Sequence, residues 1–66
     1  MKVRINGRVE DIGEELTLAA LLTARDANRK GVAVALDGEV VPRRCWDTTM
    51  LRQHATVEVL TAVQGG

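Results

Sequence analysis

The chain has 66 residues, 45% of them hydrophobic, with nine basic side chains balanced by nine acidic ones. That length allows one domain with a thin core and little room for an enclosed active site, so chemistry is expected at the surface, at a terminus or in a partner. A neutral balance offers no basic face for nucleic acid, and without Phe or Tyr base stacking would rest on Trp46 alone, which excludes nucleic acid as the expected partner.

Taken in order, "KVRI" at 2–5 alternates with period two, placing Val3 and Ile5 on one face of a strand. Asn6-Gly7 is a two-residue hairpin signal, because both turn positions want φ > 0. "RVEDI" is the returning strand. The turn pairs Ile5 with Arg8, which puts Ile12 beside Val3 and Ile5 and leaves Val9 outside. Gly13 breaks the strand. Thr17 is the expected N-cap of a helix through "LAALLTAR". Its Leu18, Leu21 and Leu22 fall on one stripe at i, i+3 and i+4, with Arg25 at i+7. Arg29 and Lys30 suit the negative end of that helix and Gly31 its C-cap, with fraying expected over "DANRK" because Asp and Asn favour turns.

"VAVAL" at 32–36 is the third strand, Asp37-Gly38 the second hairpin turn, and "EVV" at 39–41 the strand that pairs back. Pro42 cannot donate a ladder bond and ends that strand or marks an edge. "RRCWDTTML" is expected to make a short helical turn with Trp46 and Leu51 facing in. "TVEVLTAV" at 56–63 is the last strand.

The order predicts an α+β fold: one main helix across one mixed five-stranded sheet, with the first and last strands parallel at its centre. This is the ubiquitin-like β-grasp order. The domain is expected over 1–63, followed by a flexible tail at 64–66. Gly7, Gly13, Gly31 and Gly38 have structural tasks; Gly65 and Gly66 have none.

A Gly-Gly end fits a stub without function. Following a β-grasp, it also fits a substrate. It lacks Cβ atoms and so enters a narrow channel. From Gln64 onward it spans roughly 10 Å when extended. It ends in an ionised carboxylate. A partner could direct that carboxylate at the α-phosphate of ATP, with Mg²⁺ and positioning groups supplied by the partner.

"GVAVALDGEVVPR" at 31–43, followed by Trp46, and "VEVLTAVQGG" at 57–66 resemble the thiamine-biosynthesis sulfur carrier family (ThiS-like). The resemblance covers nearly the whole chain. It implies a carrier that is not itself an enzyme. Gly66 would be adenylated by an E1-like adenylyltransferase, converted to a thiocarboxylate with sulfur from a donor such as a cysteine desulfurase, and used by thiazole synthase. Gly65, Gln64 and Val63 would thread into the partner. "RQHAT" stands where the family usually has a Gly-Asp type turn. Two related readings share the tail: the small subunit of molybdopterin synthase, whose members tend to carry proline just upstream, and a ubiquitin-like conjugating modifier. A plain adaptor with an incidental tail is the third.

The strand registers place Val32, Val34, Leu36, Val41, Val57 and Val59 toward the helix. They place Ala33, Ala35, Val40, Leu60 and Ala62 on the outer face, beside the tail, as the expected partner-binding face. Cys45 excludes an intrachain disulfide and is expected to pack beside Trp46. His54 has no second ligand at metal spacing, so no metal site and no bound cofactor are expected. Arg43-Arg44 is read as a solvated pair, and Asp11, Glu14 and Glu15 as solubility charges in a loop. No signal peptide or membrane-length apolar run occurs, so no membrane partner and a cytoplasmic location are expected.

Overall fold

The computed structural model describes residues 1–61. Strands β1 (Lys2–Ile5) and β2 (Arg8–Asp11) form a hairpin. Helix α1 (Leu18–Ala24) follows, then a second hairpin of β3 (Val32–Leu36) and β4 (Glu39–Val40). A 3₁₀ helix (Arg43–Thr48) leads to β5 (Thr56–Thr61). The sheet order is β2-β1-β5-β3-β4, with β5 parallel to β1 and antiparallel to β3. The expected β-grasp topology is therefore present, and the last strand is the central one.

Both hairpins are set by their turns. Asn6 and Asp37 each take φ 50, and the glycines after them take 85 and 88. These are the left-handed values a two-residue turn needs to follow strand twist. Ile5 faces Arg8 and Leu36 faces Glu39, as the turn lengths predict. Val9 is accordingly exposed, while Ile12 packs against the core. β2 ends at Asp11 rather than Ile12. β4 has two residues rather than three, although Val41 still donates to the Val34 carbonyl (2.8 Å). As the edge strand, β4 is cut short by Pro42, which precedes the 3₁₀ helix.

The core is Val3 and Ile5 from β1, Leu18, Leu21 and Leu22 from α1, Val34, Trp46, Leu51, Ala55 and Val57. A seven-residue helix has little stability of its own; the leucine stripe buried on the sheet supplies it. The Thr17 hydroxyl accepts from the Ala20 N–H (3.1 Å), as predicted. The other end differs from expectation. The helix stops at Ala24, and Asp26, not Gly31, takes the left-handed position after it (φ 57). The Asp26 N–H bonds the Thr23 carbonyl (3.0 Å) and the Ala27 N–H the Leu22 carbonyl (2.7 Å). That is a Schellman ending, with Ala27 turned onto the core. Asp26 and Asn28 favour turns over helix, which agrees with the fraying expected over "DANRK", and Arg29 and Lys30 lie beyond the helix.

Arg43 is exposed, as expected of a solvated side chain, but it also makes specific contacts. Its guanidinium lies 4.4 Å from the Trp46 ring centroid and donates to the carbonyls of Asn28 (3.2 Å) and Arg29. The Trp46 indole N–H donates to the Val41 carbonyl (2.9 Å). Together they tie the 3₁₀ helix to the loop after α1 and to the end of the second hairpin.

Candidate functional site

The candidate site is the outer face of the sheet around β5. Backbone pairing sets Ala33 opposite Leu60 and Ala35 opposite both Glu58 and Val40. Four of the five residues expected on a partner face, Ala33, Ala35, Val40 and Leu60, are thus neighbours on one surface. Val40 is 75% exposed and Leu60 66%, values high for branched apolar side chains, and they stand on the two strands that flank β3. Glu58 stands among them, so the patch carries one acid. The same face of β1 carries Lys2 and Arg4, which divide the patch from exposed Val9. Ala62, Val63, Gln64, Gly65 and Gly66 lie outside the described residues.

The position of β5 is fixed from both sides by the hairpin turns. A parallel ladder has residue i donate to one partner residue and accept from the residue two further on. Asn6 donates its backbone N–H to the Val57 carbonyl (2.9 Å). The next bond would go from the Val59 N–H to the Asn6 carbonyl, but at Asn6 the chain turns away. The side chain takes over. Asn6 Oδ1 accepts from the Val59 N–H (2.8 Å), and Nδ2 donates to the Val59 carbonyl (3.3 Å). One amide thus stands in for a missing peptide group.

On the other side Asp37 donates its N–H to the Thr56 carbonyl (2.8 Å), and its Oδ1 accepts from the Thr56 N–H (2.9 Å). Sequence reading assigned both residues to turns and missed these contacts. Asn and Asp are ordinary turn residues, and nothing local tells which strand their side chains meet.

The "RQHAT" stretch docks along β1. Gln53 Oε1 accepts from the Lys2 N–H (2.7 Å), and the His54 N–H donates to the Lys2 carbonyl (2.6 Å). His54 takes φ 68, at the third position of a turn closed by the Ala55 N–H on the Arg52 carbonyl (3.0 Å). Glycine is usual at such a position. His54 is exposed, and Cys45 is half-buried and free. Among the described residues, no three His, Cys, Asp or Glu side chains are arranged to hold a metal ion, and no helix is long and apolar enough to cross a membrane.

Asp11 is more than a solubility charge in a loop. It ends β2 and accepts from the Gly13 N–H (2.9 Å) and from the Met1 ammonium (3.4 Å). The Gly13 hydrogen bond, then the ammonium, hold its carboxyl below the ordinary 3.8.

Comparison with known proteins agrees with this geometry. Proteins of Porphyra purpurea and Pyropia yezoensis, each called uncharacterized protein ycf40, are 30% and 32% identical over 66 residues, covering all of this chain and 93% of each relative. The crystal structure of the thiamine biosynthesis protein ThiS from Geobacter metallireducens has a TM-score of 0.84 at 35% identity, with both chains fully covered. A solution structure of a thiamine biosynthesis protein from the same organism gives 0.80 at 33%, covering all of this chain and 88% of that one. The ThiS family matches residues 3–66, through the two glycines. Matched along its length in sequence and across its sheet in topology, the chain belongs to the ThiS family.

Proposed function

We propose that this ThiS-family chain is a sulfur carrier of thiamine biosynthesis, acted on by partner enzymes. The observation that carries this reading is the family match running through Gly65-Gly66, on a fold whose central strand leads toward them. The apolar patch around Leu60 is the docking face, and the segment from Val63 to Gly66 enters the partner's cleft.

The chemistry follows from the carboxylate of Gly66. One of its oxygens attacks the α-phosphorus of ATP in an E1-like enzyme, and pyrophosphate leaves. A hydrosulfide equivalent then attacks the acyl carbon of the adenylate and expels AMP. The product is a thiocarboxylate, which thiazole synthase takes as sulfur donor. ATP and Mg²⁺ belong to the partner; the carrier contributes a handle that other residues' side chains would obstruct.

Intact mass spectrometry of protein isolated from its own cells tests the reading. The expected result is a fraction carrying sulfur in place of one terminal oxygen, formed in vitro from the cognate adenylating enzyme, ATP and sulfide. Isopeptide conjugates to lysines would instead make the chain a modifier. Neither product in the presence of that enzyme would overturn both.

A further inference from the structure

Val59 lies seven residues before Gly66 and immediately before Leu60, so what holds its backbone on the β1 side helps hold the end of β5 that carries the docking face. β1 stops pairing with β5 at Ile5–Val57. Beyond that point the Asn6 side chain supplies both hydrogen bonds on the β1 side of Val59. The opposite side is held by β3 through Thr61.

An Asn amide is suited to this because it carries a carbonyl and an N–H₂ on one short plane, the same pair a peptide group offers. Aspartate fills the turn equally well but lacks the donor. The left-handed φ of Asn6 matters too, since it swings the backbone away while the side chain stays against β5.

We propose that Asn6 is a positioning residue for the carrier reaction: by replacing the missing peptide group beside Val59, it holds the end of β5 in register and sets the direction in which the C-terminal arm enters the adenylating enzyme. The proposal rests on the carrier reading. Asp37 supplies a natural control. It holds the same strand by a similar bond, but at Thr56, on the end away from the arm.

The test uses the full chain as substrate of its cognate adenylating enzyme, with ATP-dependent pyrophosphate release as the assay, below the melting temperature of each variant. Asn6→Gly keeps a turn-competent residue and removes the amide. It is expected to lower kcat about ten-fold while KM for the carrier stays within about two-fold, because docking is intact and the reacting carboxylate is misplaced. Asp37→Gly is expected to lose stability with kcat unchanged. Asn6→Asp keeps the acceptor and loses the donor, and is expected to fall between wild type and Asn6→Gly; it serves as the variant to assay if Asn6→Gly does not fold.

Native-state hydrogen exchange gives an independent readout, with protection of the Val59 amide expected to fall in Asn6→Gly and not in Asp37→Gly. Equal kcat for Asn6→Gly, Asp37→Gly and wild type, or unchanged Val59 protection, would overturn the positioning role. A wild-type chain that is not adenylated at all would overturn the carrier reading itself, which is a different result.

Discussion

The two hairpin turns are alike in length and backbone geometry and differ in what they hold. Each has two residues, the same φ at its first position and a glycine at its second. Each sends a side chain to β5. Asp37 bonds back to Thr56, the same residue its own backbone N–H reaches, closing a small ring at the entrance of the strand. Asn6 reaches further: its backbone meets Val57 and its amide meets both polar groups of Val59. One turn anchors where β5 begins, and the other extends the ladder toward where it ends. Turns of one backbone geometry thus serve different purposes, according to the side chain each carries and whether the strand pairs parallel or antiparallel with the hairpin beside it.

The largest expected effect is at Asn6. Removing its amide in Asn6→Gly breaks two hydrogen bonds and is expected to destabilise the domain by about 1–2.5 kcal/mol. Urea unfolding checks this, and a loss under 0.5 kcal/mol would mean solvent replaces the amide without cost. Next is the neighbour that holds nothing. Leu60→Asp is expected to weaken binding to the adenylating enzyme at least about ten-fold, roughly 1.4 kcal/mol, by setting a second carboxylate beside Glu58. Its melting temperature should stay near wild type because Leu60 is exposed. Unchanged affinity in the folded variant would remove the patch from the docking face.

Asp37→Gly is expected to cost about 1 kcal/mol, less than Asn6→Gly, since one side-chain bond is lost at a solvent-exposed site. A larger loss than at Asn6 would reverse the ranking of the two turns. His54 sharpens the comparison by its sign. It also takes a left-handed φ, but it meets β1 through its backbone N–H alone. His54→Gly should therefore stabilise by about 0.5–1 kcal/mol, where the same change at Asn6 destabilises. Paired thermal melts of the two variants decide the point.

The smallest effect is at Asp11. Its folded carboxyl titrates below the ordinary 3.8, so its contribution is present above that value and lost as pH falls through the lower folded one. Asp11→Asn should flatten the acid limb of the stability curve slightly and leave neutral pH almost unchanged. An acid limb identical to wild type would show the Gly13 contact to be without energetic weight.

Sequence by itself determined the order of elements, both hairpin registers, the N-cap at Thr17 and the leucine stripe of α1. These are local matters: turn length sets register, side-chain period sets the buried face, and a hydroxyl reaches only its own helix. From those registers the outward set of Ala33, Ala35, Val40 and Leu60 was also legible, because a strand's faces alternate. The turn-favouring Asp and Asn of "DANRK" signalled a weak helix end, but only the structure showed that Asp26, not Gly31, takes the left-handed position after it. Tertiary structure alone placed Arg43 on Trp46 and brought its guanidinium to the carbonyls of Asn28 and Arg29, in the loop after the helix. And it alone gave Asn6 its second task. A turn residue and Val59 are separated by 53 positions in the chain, and only the parallel pairing of first and last strands brings the amide to the gap it fills.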